Sequence, residues 1–233
     1  MKPFESVKVV AFDADDTLWD CQSYFVQVEQ TYCQILAPWG TAEEVSSHLF
    51  KTESSNMSLL GYGCKAFTLS LIENAISFSN GKITSEEIKQ ILDLGYSLLK
   101  LSAEPLPEVV TTLSTLCQHK DYRLALFTKG ELLDQENKLQ RSGLANYFDY
   151  VEIVSDKTSK TFLKLCEHLQ IHPQELLMVG NSFKSDIMPA LAIGASAIHI
   201  PFHVTWKLEH AEEYEHPQLV KIEHFSQLLD WLL

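Results

Sequence analysis

The sequence predicts an α/β fold class, with a doubly wound parallel sheet and an inserted all-helical domain. An apolar, β-branched run over residues 7–12 is typical of a buried parallel strand, and it ends on acidic residues. From Val109 onward, strand and helix patterns alternate, which favours a parallel sheet with right-handed crossovers. Between these regions, the stretch after Trp19 shows helical periodicity alone. We therefore expect a core of residues 1–18 and 105–233, with the helical insertion over 19–104.

The predicted elements of the insertion follow in chain order. Apolar residues recur at helical spacing over 22–36, and Asp20 is a candidate cap for this helix. Thr41 and Glu44 form a capping-box pattern that opens a second helix, and Thr84 marks a further helix start. Further helices are predicted over 65–78 and 86–101 in the insertion, and over 109–116 in the core. In the rest of the core we expect strands near 122–127, 150–154, 176–180 and 196–200, and helices near 131–142, 158–169 and 184–193.

Composition and charge exclude several classes of protein. With 233 residues and 45% hydrophobic content, the chain can form a compact core. No apolar run reaches the roughly 18 residues of a membrane span. The net charge of −13 argues against a nucleic-acid or anionic-membrane partner. Residues 1–7 lack a signal-peptide pattern, and the five scattered cysteines are typical of reduced, mostly buried thiols, so we expect a cytoplasmic protein.

Three carboxylates, Asp13, Asp15 and Asp16, follow the first strand directly. If the strand continues through them, alternation places Asp13 and Asp15 on the same side. That arrangement crowds like charges unless a cation or phosphate chemistry uses them. An acidic loop after a core strand is the alternative interpretation. Because reactive groups of open α/β sheets collect beyond the carboxyl ends of strands, we treat this segment as a candidate active site.

The Asp-x-Asp-x-Thr pattern over residues 13–17 resembles motif I of the haloacid dehalogenase-like (HAD) hydrolase superfamily. Three further segments are similar to the other motifs and occur in the expected order. Thr128, at the end of a strand, resembles motif II, residues 155–162 can supply the motif III lysine, and Gly180–Asp186 resembles motif IV. The resemblance spans essentially the whole chain. It implies a Rossmann-like core with a helical cap inserted after motif I.

The resemblance also implies a site and a chemistry. Asp13 is the expected nucleophile and Asp15 the general acid and base, the first ionised against a metal and the second with a raised pKa. Thr128 is the expected phosphate-binding residue. The implied Mg²⁺ ligands are Asp13, the Asp15 backbone carbonyl, Asn181 and Asp186. Asn181 departs from the family pattern, which has an aspartate there, so we expect weaker Mg²⁺ binding.

An anionic substrate requires a local positive field in this acidic chain. Lys157 follows the 150–154 strand closely, whereas Lys160 lies one helical turn further on and could face the same way. We favour Lys157 as the motif III lysine and keep Lys160 as the alternative. Lys129, next to Thr128, is a candidate substrate contact and is expected to be exposed or to lie at the rim of the site.

Substrate choice is expected to come from the helical cap. Tyr62 lies between Gly61 and Gly63 just before a predicted helix, which is typical of a mobile loop. Tyr62 and Lys65 are therefore candidate substrate contacts. A plain turn with Tyr62 packed inward is an equal alternative.

These features together predict a Mg²⁺-dependent phosphatase that hydrolyses small phosphorylated metabolites through an aspartyl-phosphate. A 2-haloacid dehalogenase shares the fold and the nucleophile and tolerates Asn in motif IV, so it is the alternative enzyme. Its chemistry needs neither Mg²⁺ nor the second aspartate, and the presence of Asp15 favours the phosphatase. A non-catalytic phosphate-binding protein is the alternative outside enzymes. The substrate and the oligomeric state stay open.

Overall fold

The computed structural model describes residues 4–119 and 122–233. Contacts within the chain divide it into two compact units, Met1–Asp20 with Ala103–Leu233, and Cys21–Ser102. Each division lies two residues from the predicted boundaries at 18/19 and 104/105. The first unit contains the sheet, and the second is helical.

Within the described residues, the sheet has the strands β1 (Val9–Phe12), β2 (Arg123–Lys129), β3 (Tyr150–Val154), β4 (Leu176–Gly180), β5 (Ser196–His199) and β6 (Leu219–Lys221). All pair in parallel, in the order β3-β2-β1-β4-β5-β6. The strand order changes direction between β1 and β4, as in a doubly wound sheet, where ligands bind at the carboxyl edge. The predicted fold class is confirmed.

Both faces of the sheet are covered by apolar side chains. Val10 and Phe12 belong to one hydrophobic cluster, whereas Val9 and Ala11 belong to a second cluster that includes Phe127. Successive residues of a strand point to opposite faces, so β1 contributes to both clusters in turn. Burial on both faces explains why the central strands form continuous apolar runs in the sequence.

The helical unit contains α1 (Gln22–Ile35), α2 (Ala42–Leu60), α3 (Cys64–Phe78) and α4 (Ser85–Leu98). Thr41 and Glu44 make the reciprocal hydrogen bonds of a capping box at the start of α2, and Thr84 and Glu87 do so at the start of α4. Both predicted helix starts are confirmed. The predicted Asp20 cap is wrong, because Cys21 occupies the cap position of α1 and makes no side-chain capping bond.

The helices of the sheet-containing unit are α5 (Val109–Gln118), α6 (Leu132–Ser142), α7 (Ser159–Leu169), α8 (Met188–Ala192) and α9 (Leu228–Leu232). The predicted helix over 184–193 is wrong in its first half, where the chain forms a π-helical turn over Phe183–Ile187. The Ser182 hydroxyl accepts from the Ser185 amide, and the Ser182 carbonyl accepts from the amides of Asp186 and Ile187. Pro189 lacks an N–H for the helix that follows. The sequence analysis predicted neither β6 nor α9.

Two further expectations concern membranes and thiols. Across residues 4–119 and 122–233, no helix combines the length and the apolar character that crossing a membrane requires. Four of the five cysteines are buried, as expected.

Candidate active site

The ends of four neighbouring strands bring the predicted motif residues to one edge of the sheet. Asp13 follows β1, Thr128 lies near the end of β2, Lys157 follows β3, and Asn181 and Asp186 follow β4. Because all four strands run parallel, their carboxyl ends meet at the same edge. The Asp13 amide donates to the Val179 carbonyl at 2.9 Å and so continues the ladder between β1 and β4.

Lys157 lies between two carboxylates. Its Nζ is 2.5 Å from Asp13 Oδ1 and 2.6 Å from Asp186 Oδ1, and its side chain is 1% exposed. The ammonium also lies 5.4 Å from the ring centre of Phe127. Lys160 is exposed on the surface. Of the two candidate lysines, the structure therefore brings Lys157, and not Lys160, to the carboxylates.

The charged groups of this cluster change one another's pKa values. Burial and the nearby Asp186 charge raise the pKa of Asp13 to about 7, although Lys157 acts in the opposite direction. Burial disfavours the charged form of Lys157, but the two carboxylates outweigh it and raise the pKa of the ammonium. The cluster thus holds more negative charge than one lysine neutralises.

Asp186 is held against the backbone of the β4 end. Its Oδ2 accepts from the Ser182 amide at 2.9 Å, and a Cβ atom at Gly180 would lie only 2.3 Å from the same oxygen. Asp186 can therefore occupy this position only because residue 180 has no side chain. The glycine of the predicted motif IV has a direct packing role.

Thr17 connects Asp13 with Asn181. Its hydroxyl lies 3.4 Å from Asp13 Oδ2 and 3.1 Å from Asn181 Oδ1, and it accepts from the Asn181 amide at 3.0 Å. The Asn181 carbonyl in turn accepts from His199 Nε2 at 3.0 Å. A carboxylate oxygen and an amide oxygen thus converge on one hydroxyl group.

This set of oxygens fits Mg²⁺. The described part of the chain holds no group of three or more His, Cys, Asp or Glu side chains that could bind a metal. Mg²⁺ instead needs one or two carboxylates and completes its shell with water and substrate phosphate. Asp13 and Asp186 could supply the carboxylates, and Asn181 Oδ1 could add an uncharged oxygen. A cation here would also offset the excess negative charge at Asp13.

Asp15 has a different environment from the one expected. Lys138 Nζ lies 2.7 Å from both of its carboxylate oxygens, Trp19 Nε1 donates to Oδ1 at 2.7 Å, and Gln135 Nε2 donates to Oδ2 at 3.0 Å. Burial alone would raise its pKa, but the Lys138 charge and these hydrogen bonds lower it. The expectation of a raised pKa at Asp15 is therefore wrong for the metal-free protein, because α6 supplies a buried cation, whereas an Asp13 ionised against a metal stays a prediction.

Gln135 and Lys138 are site residues that the sequence analysis missed. They lie one turn apart on α6, whose buried face is largely polar. Gln135 Nε2 also donates to Thr128 Oγ1 at 3.1 Å and to the Lys129 carbonyl at 2.8 Å, whereas its Oε1 is buried without a hydrogen-bond partner. The sequence did contain a signal for them, because polar residues occupy the face of α6 that would be expected to pack against the core.

Lys129 is not the exposed rim residue that was expected. Its Nζ lies 2.6 Å from Glu209 and 2.7 Å from Ser185 Oγ, and its side chain is 15% exposed. Glu209 also accepts from the Ser182 and Ser185 hydroxyls, at 2.6 and 2.5 Å. Burial would raise the pKa of Glu209, but the Lys129 charge together with the hydrogen bonds from Lys129, Ser182 and Ser185 outweighs it and lowers the pKa. Direct substrate binding by Lys129 would compete with this ion pair.

The remaining candidate substrate contacts lie in the helical unit. Tyr62 is half-buried and Lys65 is exposed. The flanking glycines both have positive φ, 69° at Gly61 and 113° at Gly63, which other residues rarely adopt. The turn therefore depends on its glycines, and the role of Tyr62 and Lys65 in substrate binding stays a prediction.

Comparisons with known proteins agree with the fold. A model of the haloacid dehalogenase-like hydrolase family matches residues 7–194. The chain is 27% identical to a glyceraldehyde 3-phosphate phosphatase of Methanothermobacter thermautotrophicus, over 97% of this chain and 100% of the relative. It is 29% identical to a phosphoglycolate phosphatase of Vibrio vulnificus, over 98% of this chain and 97% of the relative. A haloacid dehalogenase-like family hydrolase of Xanthomonas campestris has a TM-score of 0.86 at 31% identity, covering 95% of this chain and 88% of that structure.

Asp13→Asn should stabilise the metal-free protein near neutral pH. The folded-state pKa of about 7 exceeds the usual 3.8, so the contribution of Asp13 to folding stability is greatest below pH 3.8 and falls as pH rises towards 7. The variant lacks this titration and should gain on the order of a few kcal/mol at pH 7.5, but little near pH 4. Urea unfolding at both pH values, in chelator, measures the difference. Asp93→Asn, at a carboxylate 58% exposed, is the control, and equal pH dependence in Asp13→Asn and wild type would contradict the prediction.

Proposed function

Because the chain belongs to the haloacid dehalogenase-like hydrolase family, we propose that it is a Mg²⁺-dependent phosphatase of small phosphorylated metabolites. The observation that carries the proposal is the buried contact of Asp13 with Lys157, with Asp15 held two residues further on. The phosphatase names of relatives matched over nearly the whole chain support the same reaction class. The four buried, free cysteines support a cytoplasmic location. The net charge of −13 argues against a nucleic-acid partner.

In the first step, an Asp13 carboxylate oxygen attacks phosphorus and forms an aspartyl-phosphate. The bond from phosphorus to the alcohol oxygen breaks, and its electron pair stays on that oxygen. The leaving oxygen takes a proton from the protonated form of Asp15. Lys157 offsets the charge of the nucleophile, and the Thr128 hydroxyl binds a phosphoryl oxygen.

In the second step, the Asp15 carboxylate takes a proton from water. The water oxygen bonds to phosphorus, the bond to Asp13 breaks, and inorganic phosphate leaves. Asp13 is restored as a carboxylate, and the proton now on Asp15 serves the next leaving group. The hydrogen bonds around Asp15 favour the ionised form that this step needs.

The residues that would hold Mg²⁺ are Asp13, Asp186, Asn181 and the Asp15 backbone carbonyl. The bound ion would neutralise negative charge on the transferring phosphoryl group. Asn181 supplies an oxygen but no charge, which favours weaker Mg²⁺ binding than a second motif IV aspartate would give.

The two alternatives differ from this proposal in testable ways. A 2-haloacid dehalogenase would use Asp13 alone and leave the hydrogen-bonded Asp15 without a chemical role. A phosphate-binding protein would not need a nucleophile beside a buried lysine. The elaborate set of donors at Asp15 therefore favours the phosphatase.

Hydrolysis of an aryl phosphate should require both Asp13 and Mg²⁺. We expect Asp13→Asn to lower kcat at least about 10³-fold, because it removes the nucleophile, and a chelator to abolish wild-type turnover. Released phosphate and aryl alcohol are both measured. Turnover of a 2-haloacid in place of the phosphate ester would support the dehalogenase, and tight phosphate binding without turnover would support the binding protein.

The two candidate lysines should differ sharply. Lys157→Met removes the cation between two carboxylates and should lower kcat about 10²–10³-fold. Lys160→Met, at an exposed position, should stay within about threefold of wild type. Steady-state kinetics on one substrate, with circular dichroism as the test of folding, makes the comparison. Equal loss in both variants would argue against the assignment to Lys157.

Lys65 should affect the choice of substrate more than the chemistry. We expect Lys65→Ala to change KM about tenfold on some phosphorylated sugars, nucleotides or amino-acid derivatives, since a charged contact is lost. Hydrolysis of the smallest substrates should change little. Lys82→Ala, at another exposed lysine of the helical unit, serves as the control. Equal loss on every substrate would count against a specificity role.

A further inference from the structure

The hydrogen bonds around Asp15 come from side chains that are more buried than Asp15 itself. Lys138 is 3% exposed, whereas Asp15 is 27% exposed. Trp19 and Gln135 are buried as well. The donors are thus more buried than the carboxylate that they bind, and the Asp15 side chain stays partly exposed.

Stability alone does not account for this arrangement. Burying a lysine requires removal of its hydration shell, and an ion pair seldom repays that loss better than apolar packing would. Lys138 nevertheless lies on the buried face of α6 and reaches both oxygens of a carboxylate 123 positions away in the chain. Its i,i+4 neighbour Asp134 is more distant, at 3.8 Å.

The four contacts leave the carboxylate little rotational freedom. Lys138 binds both oxygens, Trp19 Nε1 binds Oδ1, and Gln135 Nε2 binds Oδ2. Rotation of the carboxylate would break at least one charge-assisted hydrogen bond. Proton transfer to or from a substrate depends on such fixed geometry.

We propose that Lys138, together with Gln135 and Trp19, positions Asp15 for proton transfer, an assignment that rests on the proposed phosphatase function. These are positioning residues, because each acts through Asp15. Their loss should slow the attack of water on the aspartyl-phosphate, the step in which Asp15 takes a proton. It should spare the first step when the leaving group needs no proton.

p-Nitrophenyl phosphate separates the two steps, because p-nitrophenolate leaves without a proton. We expect Lys138→Met to release a burst of p-nitrophenolate equal to the enzyme concentration, at a rate close to that of wild type. Steady-state turnover should then be about 10²-fold slower than in wild type, as the loss of acid–base catalysis implies. With glycerol phosphate, kcat should fall at least as far, and KM should change little.

Three further variants distinguish a positioning role from a general structural defect. Arg141→Met removes an exposed charge one turn further along α6 and should behave as wild type. Lys138→Arg retains the charge and should recover much of the slow step. Trp19→Phe removes one N–H and should slow the same step about tenfold, even if Lys138→Met does not fold.

Two results would overturn the assignment. One is an equal loss of burst rate and steady-state rate in Lys138→Met and Trp19→Phe, which a general structural defect would produce. The other is unchanged turnover in folded variants. If the wild type does not hydrolyse either ester, or if Asp13→Asn retains activity, the proposed function fails and this assignment fails with it.

Discussion

The contact of Lys157 with Asp13 and Asp186 is the interaction on which the site depends. Two carboxylates from different strand ends approach each other in a buried region, and only a cation between them makes that approach favourable. The strand order places the end of β1 between those of β2 and β4, with β3 beyond β2, so that Lys157 reaches across from the edge. Gly180 then leaves room for Asp186 to complete the contact.

Further ion pairs between lysines and carboxylates lie around this contact. The carboxylates of the site are Asp13, Asp15, Asp186 and Glu209, and the lysines that contact them are Lys129, Lys138 and Lys157. The carboxylates outnumber the lysines, and every one of these lysines already has a carboxylate partner. These three lysines therefore offer no surplus positive charge to a phosphate dianion. A bound divalent cation would supply it, in agreement with the oxygen ligands at Asp13 and Asn181.

The sequence predicted those features that depend on local pattern. The central strands were evident because burial on both faces makes each an apolar run. Thr41 and Thr84 indicated helix starts because each pairs with a glutamate only three residues further along the chain. Asp13 and Thr128 became candidates because they lie at strand ends in segments that resemble the family motifs. Lys138 and Glu209 were missed, since their partners are 123 and 80 positions away and only the tertiary fold brings them together. A polar residue on an amphipathic helix is ordinarily on its solvated side.

The side-chain amide of Gln135 has fewer N–H bonds than there are acceptor oxygens around it. Its side-chain amide carries two N–H bonds but lies within hydrogen-bond distance of Asp15 Oδ2, Thr128 Oγ1 and the Lys129 carbonyl. At any moment one of these three oxygens is therefore without a full bond from Gln135. A Thr128 hydroxyl that donates its hydrogen to a phosphoryl oxygen would still accept a Gln135 N–H through its lone pairs. The amide of Gln135 would then connect the phosphate-binding hydroxyl with the Asp15 carboxylate through a single side chain.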